Sequence, residues 1–154
     1  MSTPLIDALV ERHGFALVTE ANIDAFLDAH EQSLLFFPGD PDRLVESNDA
    51  AVIIAELMKQ LSGRLAPALV ERAAERRLQQ RFRFKSFPAF VFLRRQGYLG
   101  AITGVLDWQD YFTAIEAILA REPSEPPPFE LPEAVAARLR AARSDNHDHS
   151  GELA

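Results

Sequence analysis

The chain has 154 residues, enough for one domain with a real core, and 47% of them are hydrophobic. A formal charge of −7 argues against a general binder of nucleic acid or anionic membrane, which needs positive surface, and permits a cationic partner. The absence of cysteine excludes a disulfide framework, a thiolate nucleophile, a zinc ribbon and a cysteine-held iron–sulfur cluster.

In chain order, Thr3-Pro4 starts a helix to about residue 12, with Leu5, Ile6, Leu9 and Val10 at helical spacing; Gly14 stops it. Phe15 to Val18 is a short apolar strand. Thr19 then suits the N-cap of a helix carrying Ile23, Phe26 and Leu27. Ser33 to Phe37 reads as a second strand, ended by Pro38-Gly39. Residues 38–49 are loop-like. Asn48 or Asp49 is expected to cap a helix through about Leu61, with Val52, Ile53, Leu57 and Leu61 inward. Residues 64–70 make a third strand, and Glu71 to Gln80 a charged surface helix. Pro88 to Leu93 and Tyr98 to Thr103 form a hairpin around Arg94-Arg95-Gln96-Gly97. Gly104 breaks the second of these strands. Asp107 starts a helix through Ala120, with Tyr111, Phe112 and Ile115 inward and Trp108 packing on the sheet.

After Arg121 the composition changes. Glu122 to Pro128 reads as an extended linker, Pro132 to Arg143 as a short amphipathic helix, and Ser144 to Ala154 as a polar, disordered tail. The expected organisation is a domain over 1–120 and a Pro-rich linker, helix and tail over 121–154. The element order points to an α/β sandwich on a mixed central sheet with flanking helices. With no basic leader and no apolar run of about 20 residues, a soluble cytoplasmic protein is the expectation.

The motif Phe87-Pro88 opening an apolar strand, then Gly97 in a hairpin turn, Gly104 and an amphipathic helix resembles the end of a thioredoxin domain. That resemblance spans Phe15 to Ala120 and implies a cis peptide at Phe87-Pro88, beside the turn that normally carries two cysteines. Anchored on Pro41, those cysteine positions fall on Gly39 and Asp42, in a loop longer than the redox turn.

More narrowly, three blocks are similar to the HyaE/HupG family of nickel–iron hydrogenase accessory proteins. They are Leu34 to Phe37 running into Gly39-Asp40-Pro41-Asp42-Arg43 and through a loop into Asp49 to Leu57, Arg81 to Leu93, and Gly104-Val105-Leu106-Asp107-Trp108-Gln109-Asp110-Tyr111. The resemblance implies a non-catalytic cytoplasmic maturation factor that handles the hydrogenase small-subunit precursor or its twin-arginine signal. The expected peptide site joins Asp40, Asp42 and Glu46, as an acidic rim, to Phe87 and Pro88, where an extended segment pairs by strand addition. No cofactor and no metal are expected. The alternative is a thioredoxin-fold enzyme with non-cysteine chemistry, for example one activating glutathione; carboxylates in the loop would repel its thiolate.

Other features have plainer readings beside the functional one. Asp40 and Asp42 also suit turn chemistry, and Asp49 a helix cap. The basic stretch Glu71 to Lys85 suits a solvated helix face. His147 and His149 suit a polar tail better than a metal pair, and His13 and His30 suit helix ends.

Overall fold

The run Gln32–Phe37 (β2) is buried at every position after Gln32, and apolar from Leu34 on, because both faces of the strand are covered. β2 lies at the centre of a five-stranded sheet with Ala16–Val18 (β1), Ala66–Val70 (β3), Ala89–Arg94 (β4) and Gly97–Thr103 (β5), in the order β1-β3-β2-β4-β5. β1, β3 and β2 are parallel, whereas β4 and β5 run antiparallel to β2 and to each other. The sheet is therefore mixed, and the fold is the expected α/β sandwich. This computed structural model describes residues 3–61 and 63–126. The expected helix 132–143, the tail 144–154 and the pair His147/His149 lie outside the described residues.

The period-2 alternation of strand side chains divides the core into two layers. Leu34, Phe36, Phe90 and Phe92 point to one face, where they meet Pro4–Glu11 (α1), Glu46–Gln60 (α3) and Trp108–Leu119 (α5). Leu35, Phe37, Val91 and Leu93 point to the other, against Ile23–Ala29 (α2) and Glu75–Phe82 (α4). Phenylalanine knits both layers: Phe36 meets Phe90 edge-on at 5.5 Å, and Phe37 meets Phe84 at 4.7 Å.

Local chemistry sets the helix ends. Thr3 Oγ1 accepts the Ile6 N–H, and Pro4 occupies the first turn of α1. Thr19 Oγ1 accepts the N–H groups of Ala21 and Asn22, shaping a turn from which α2 starts at Ile23 rather than at Thr19 itself. At the far end of α2 the His30 ring bonds the Phe26 carbonyl at 2.9 Å, the helix-end role expected of it.

Two helices differ from expectation. α3 begins at Glu46, not after Asn48 or Asp49; Asp49 is an acid of its first turn, where it faces the helix dipole without capping. Its buried stripe is Ala50, Ile54, Leu57 and Leu61. Val52 lies off that i, i+4, i+7, i+11 line and is exposed. The α4 region begins with a 3-10 turn at Arg72–Ala74, and the α-helix runs on to Phe82.

The first residues past α5 lie against the sheet. Arg94 donates to the carbonyls of Leu119 and Arg121, Ser124 N–H donates to the Tyr98 carbonyl, and Pro123 packs beside Gly97. Arg83 donates to the Pro126 carbonyl.

Candidate functional site

Three connections meet at one end of the sheet: the loop from β2 to α3, the turn before β4, and the loop from β5 to α5. The peptide Phe87-Pro88 is cis. The Pro88 carbonyl accepts the Gly104 N–H at 2.9 Å, which ties the second connection to the third. Gly39 ties the first to the second. Its φ is +80°, and a Cβ there would stand 2.6 Å from Phe87 Cβ and 2.9 Å from Leu44 Cδ1. Only a glycine lets the backbone pass that close in a left-handed conformation.

The loop has its own hydrogen bonds. Asp40 Oδ1 accepts the Asp42 N–H at 3.0 Å, and its carbonyl accepts the N–H groups of Arg43 and Leu44. Ser47 Oγ donates to the Pro38 carbonyl at 2.7 Å, fastening the loop's start to the first turn of α3. Beneath it lies Glu75, only 1% exposed. Glu75 Oε2 accepts the Gly39 N–H at 2.8 Å, and Oε1 accepts from Arg72 Nη1 at 2.8 Å. The other arm of the Arg72 guanidinium is 3.5 Å from Asp40 Oδ2. Burial pushes the Glu75 carboxyl above its ordinary range; the Gly39 N–H and Arg72 oppose that shift, and the Asp40 charge adds to it.

The expected site residues therefore separate into kinds. Asp40 performs turn chemistry, and its charge already faces Arg72. Asp42 and Glu46 are exposed, with no ion pair among the described residues. Phe87 is half-buried, its ring edge-on to Phe84 at 5.3 Å, and Pro88 is buried. Gly39 brings the acidic loop beside Phe87. Phe87 has no backbone–backbone hydrogen bond among the described residues.

Tyr111 and Trp108 do not share a role. Tyr111 is fully buried against Phe90, and its hydroxyl accepts the Leu106 N–H at 3.0 Å. Burial raises the Tyr111 pKa; the Leu106 N–H opposes that, and the nearby Glu46 charge adds to it. Trp108, expected on the sheet, is instead 41% exposed and touches Phe112 edge-on. Val45, 83% exposed, and Val105 add apolar surface to these connections.

Sequence reasoning missed Glu75, taken there as part of a solvated face. The signal was present: Glu75, Leu78 and Phe82 share the i, i+3, i+7 spacing of the inward stripe. The basic residues of the stretch are solvated as expected, with Arg77 paired to Glu20 and Arg81 to Asp24 across the surface. No group of three or more His, Cys, Asp or Glu able to hold a metal occurs among the described residues. No helix among them is long and apolar enough to cross a membrane.

A family model described as Hydrogenase-1 expression protein HyaE matches residues 5–111. The hydrogenase expression/formation protein HoxO of Azotobacter vinelandii is 43% identical over 127 residues, covering 82% of this chain and 85% of HoxO. The hydrogenase expression/formation protein HupG of Rhizobium leguminosarum bv. viciae is 40% identical over 124 residues, covering 78% of this chain and 83% of HupG. A crystal structure of HupG from Rhodopseudomonas palustris CGA009 aligns with TM-score 0.49 at 39% identity, covering 68% of this chain and 95% of that one.

Proposed function

Because the chain belongs to the HyaE family of hydrogenase expression proteins, we propose that it acts in hydrogenase maturation as a cytoplasmic, non-catalytic binding protein on a thioredoxin-like scaffold. Its partner is the hydrogenase small-subunit precursor, held through the twin-arginine signal. The observation that carries this reading is the junction at Gly39, where an acidic loop adjoins Phe87, which has no backbone–backbone hydrogen bond among the described residues. An extended segment adds its backbone there, beside exposed apolar Val45, Val105 and Trp108. Asp42 and Glu46 offer carboxylates to guanidinium groups, and Asp40 shares its own with Arg72. The lack of any cysteine leaves no thiolate for disulfide exchange, which favours binding over catalysis.

Exposed ion pairs contribute only about 0.2–1 kcal/mol each. The charge component of affinity is therefore modest and sensitive to salt. The test is calorimetric titration of a twin-arginine signal peptide into the native protein and into Asp40→Asn/Asp42→Asn/Glu46→Gln. The triple variant binds several-fold more weakly, with a shallower salt dependence and an unchanged circular dichroism spectrum. Equal affinities and equal salt slopes for the two proteins would reject the acidic loop as the recognition element.

A further inference from the structure

On the other side of the 38–41 segment, away from Phe87, a groove of about 360 Å³ opens between α1, the β1 edge and the end of β3. Its walls are apolar, and two of them face water: Val10 is 37% exposed and Leu17 47%. Its rim carries Asp7, Glu11 and Glu71, none of which has an ion pair among the described residues. Among the described residues Arg72 is the one basic residue that lines it, and its guanidinium is already engaged by Glu75 and Asp40.

An apolar cleft with an uncompensated acidic rim fits an apolar side chain flanked by lysine or arginine. The adjoining edge does not favour strand addition. Among the described residues β1 pairs only with β3, and its outward carbonyl, at Leu17, is already taken by the Asn22 side-chain amide at 3.0 Å. Recognition at this edge therefore runs through side chains. Gly39 and Pro41 line the groove as well as belonging to the acidic loop, so one segment can engage both.

We infer that this groove is a second docking point, seating the apolar, cation-flanked part of the polypeptide whose neighbouring residues engage the acidic loop. The inference rests on the binding reading above, but its residues are different. Val10 and Leu17 lie outside the loop, and their exposure lets them change without opening the core.

The probe is a fluorescein-labelled peptide with an arginine pair followed by a stretch of leucine and alanine, used with the full chain. Val10→Ser/Leu17→Ser weakens its binding at least fivefold, and Asp7→Asn/Glu11→Gln/Glu71→Gln weakens it several-fold and flattens the salt dependence. On the unaltered protein, the Val10 and Leu17 methyl NMR signals shift as the peptide is added, which needs no variant to fold. Loss of affinity only in the acidic-loop variant, with unmoved methyl signals, overturns the groove and leaves the loop reading in place. Loss only in the groove variants, with shifted methyls, upholds the groove and removes the loop from recognition. Unchanged affinity in every variant, with no methyl shift, overturns both.

Discussion

Glu75 is the residue whose replacement tests the loop's architecture most directly. Glu75→Ala removes the acceptor of the Gly39 N–H and leaves that donor buried without a partner, at about 1–3 kcal/mol. It also deletes a buried methylene, worth about 0.8 kcal/mol. Arg72 adds little, because its side chain is half exposed and returns to water. The expected loss is about 2–4 kcal/mol by urea denaturation. Glu75→Gln keeps an acceptor for Gly39 and removes a charge that burial disfavours, so it is expected within about 1 kcal/mol of the native protein. The two proteins also diverge with pH. The folded state raises the Glu75 pKa, so the native protein binds the proton more tightly than the unfolded chain does. That contribution is complete below the unfolded value of about 4.3 and is lost as pH rises through the folded one. The stability of native relative to Glu75→Gln is therefore greatest at the acid end and falls as pH rises. Equal destabilisation by Ala and Gln, or a native advantage that grows with pH, would refute this account.

Gly39→Ala places a methyl against Phe87 at a φ of +80°, so a loss of at least about 2 kcal/mol is expected in a thermal melt, since left-handed backbone alone costs about 1–2. Ser33 Oγ is buried with no hydrogen-bond partner among the described residues, so Ser33→Ala leaves stability unchanged or raises it by up to about 1 kcal/mol in the same assay. With a dithiol donor, insulin reduction stays at the background rate, and turnover that survives purification would contradict the absence of thiol chemistry.

Much of the frame was readable because long-period and short-period patterns agreed with it. Strand β2 was an apolar run closed by Pro38-Gly39, and the hairpin turned at Arg95-Gln96 between two such runs. The start of α3 was not readable, since its N-cap position, Val45, makes no side-chain cap bond, and the polar residues that suggested a later cap sit inside the first turn. The loop's neighbourhood with Phe87 followed from the resemblance to a known domain. The support beneath the loop did not. Glu75 meets Gly39 from 36 residues away, and a contact at such a separation leaves no local trace beyond the placement of an acid on an apolar stripe. The groove was equally hidden, because Leu17 reads as core in a strand and becomes surface only where β1 stands at the sheet's flank.

Residues 121–126, just past the C-cap of α5, bear on how the molecule avoids its own copies. An open flank of a sheet is a template on which identical chains stack into fibres. Here the Ser124 N–H occupies the Tyr98 carbonyl of β5, and Pro123 and Pro126 on either side have no N–H to offer a newcomer. Cutting the chain after Ala120, where the composition first suggests a boundary, would strip that cover and turn a protected rim into a nucleus for aggregation. Residues 121–126 thus cover part of the β5 edge against pairing with another copy of the chain.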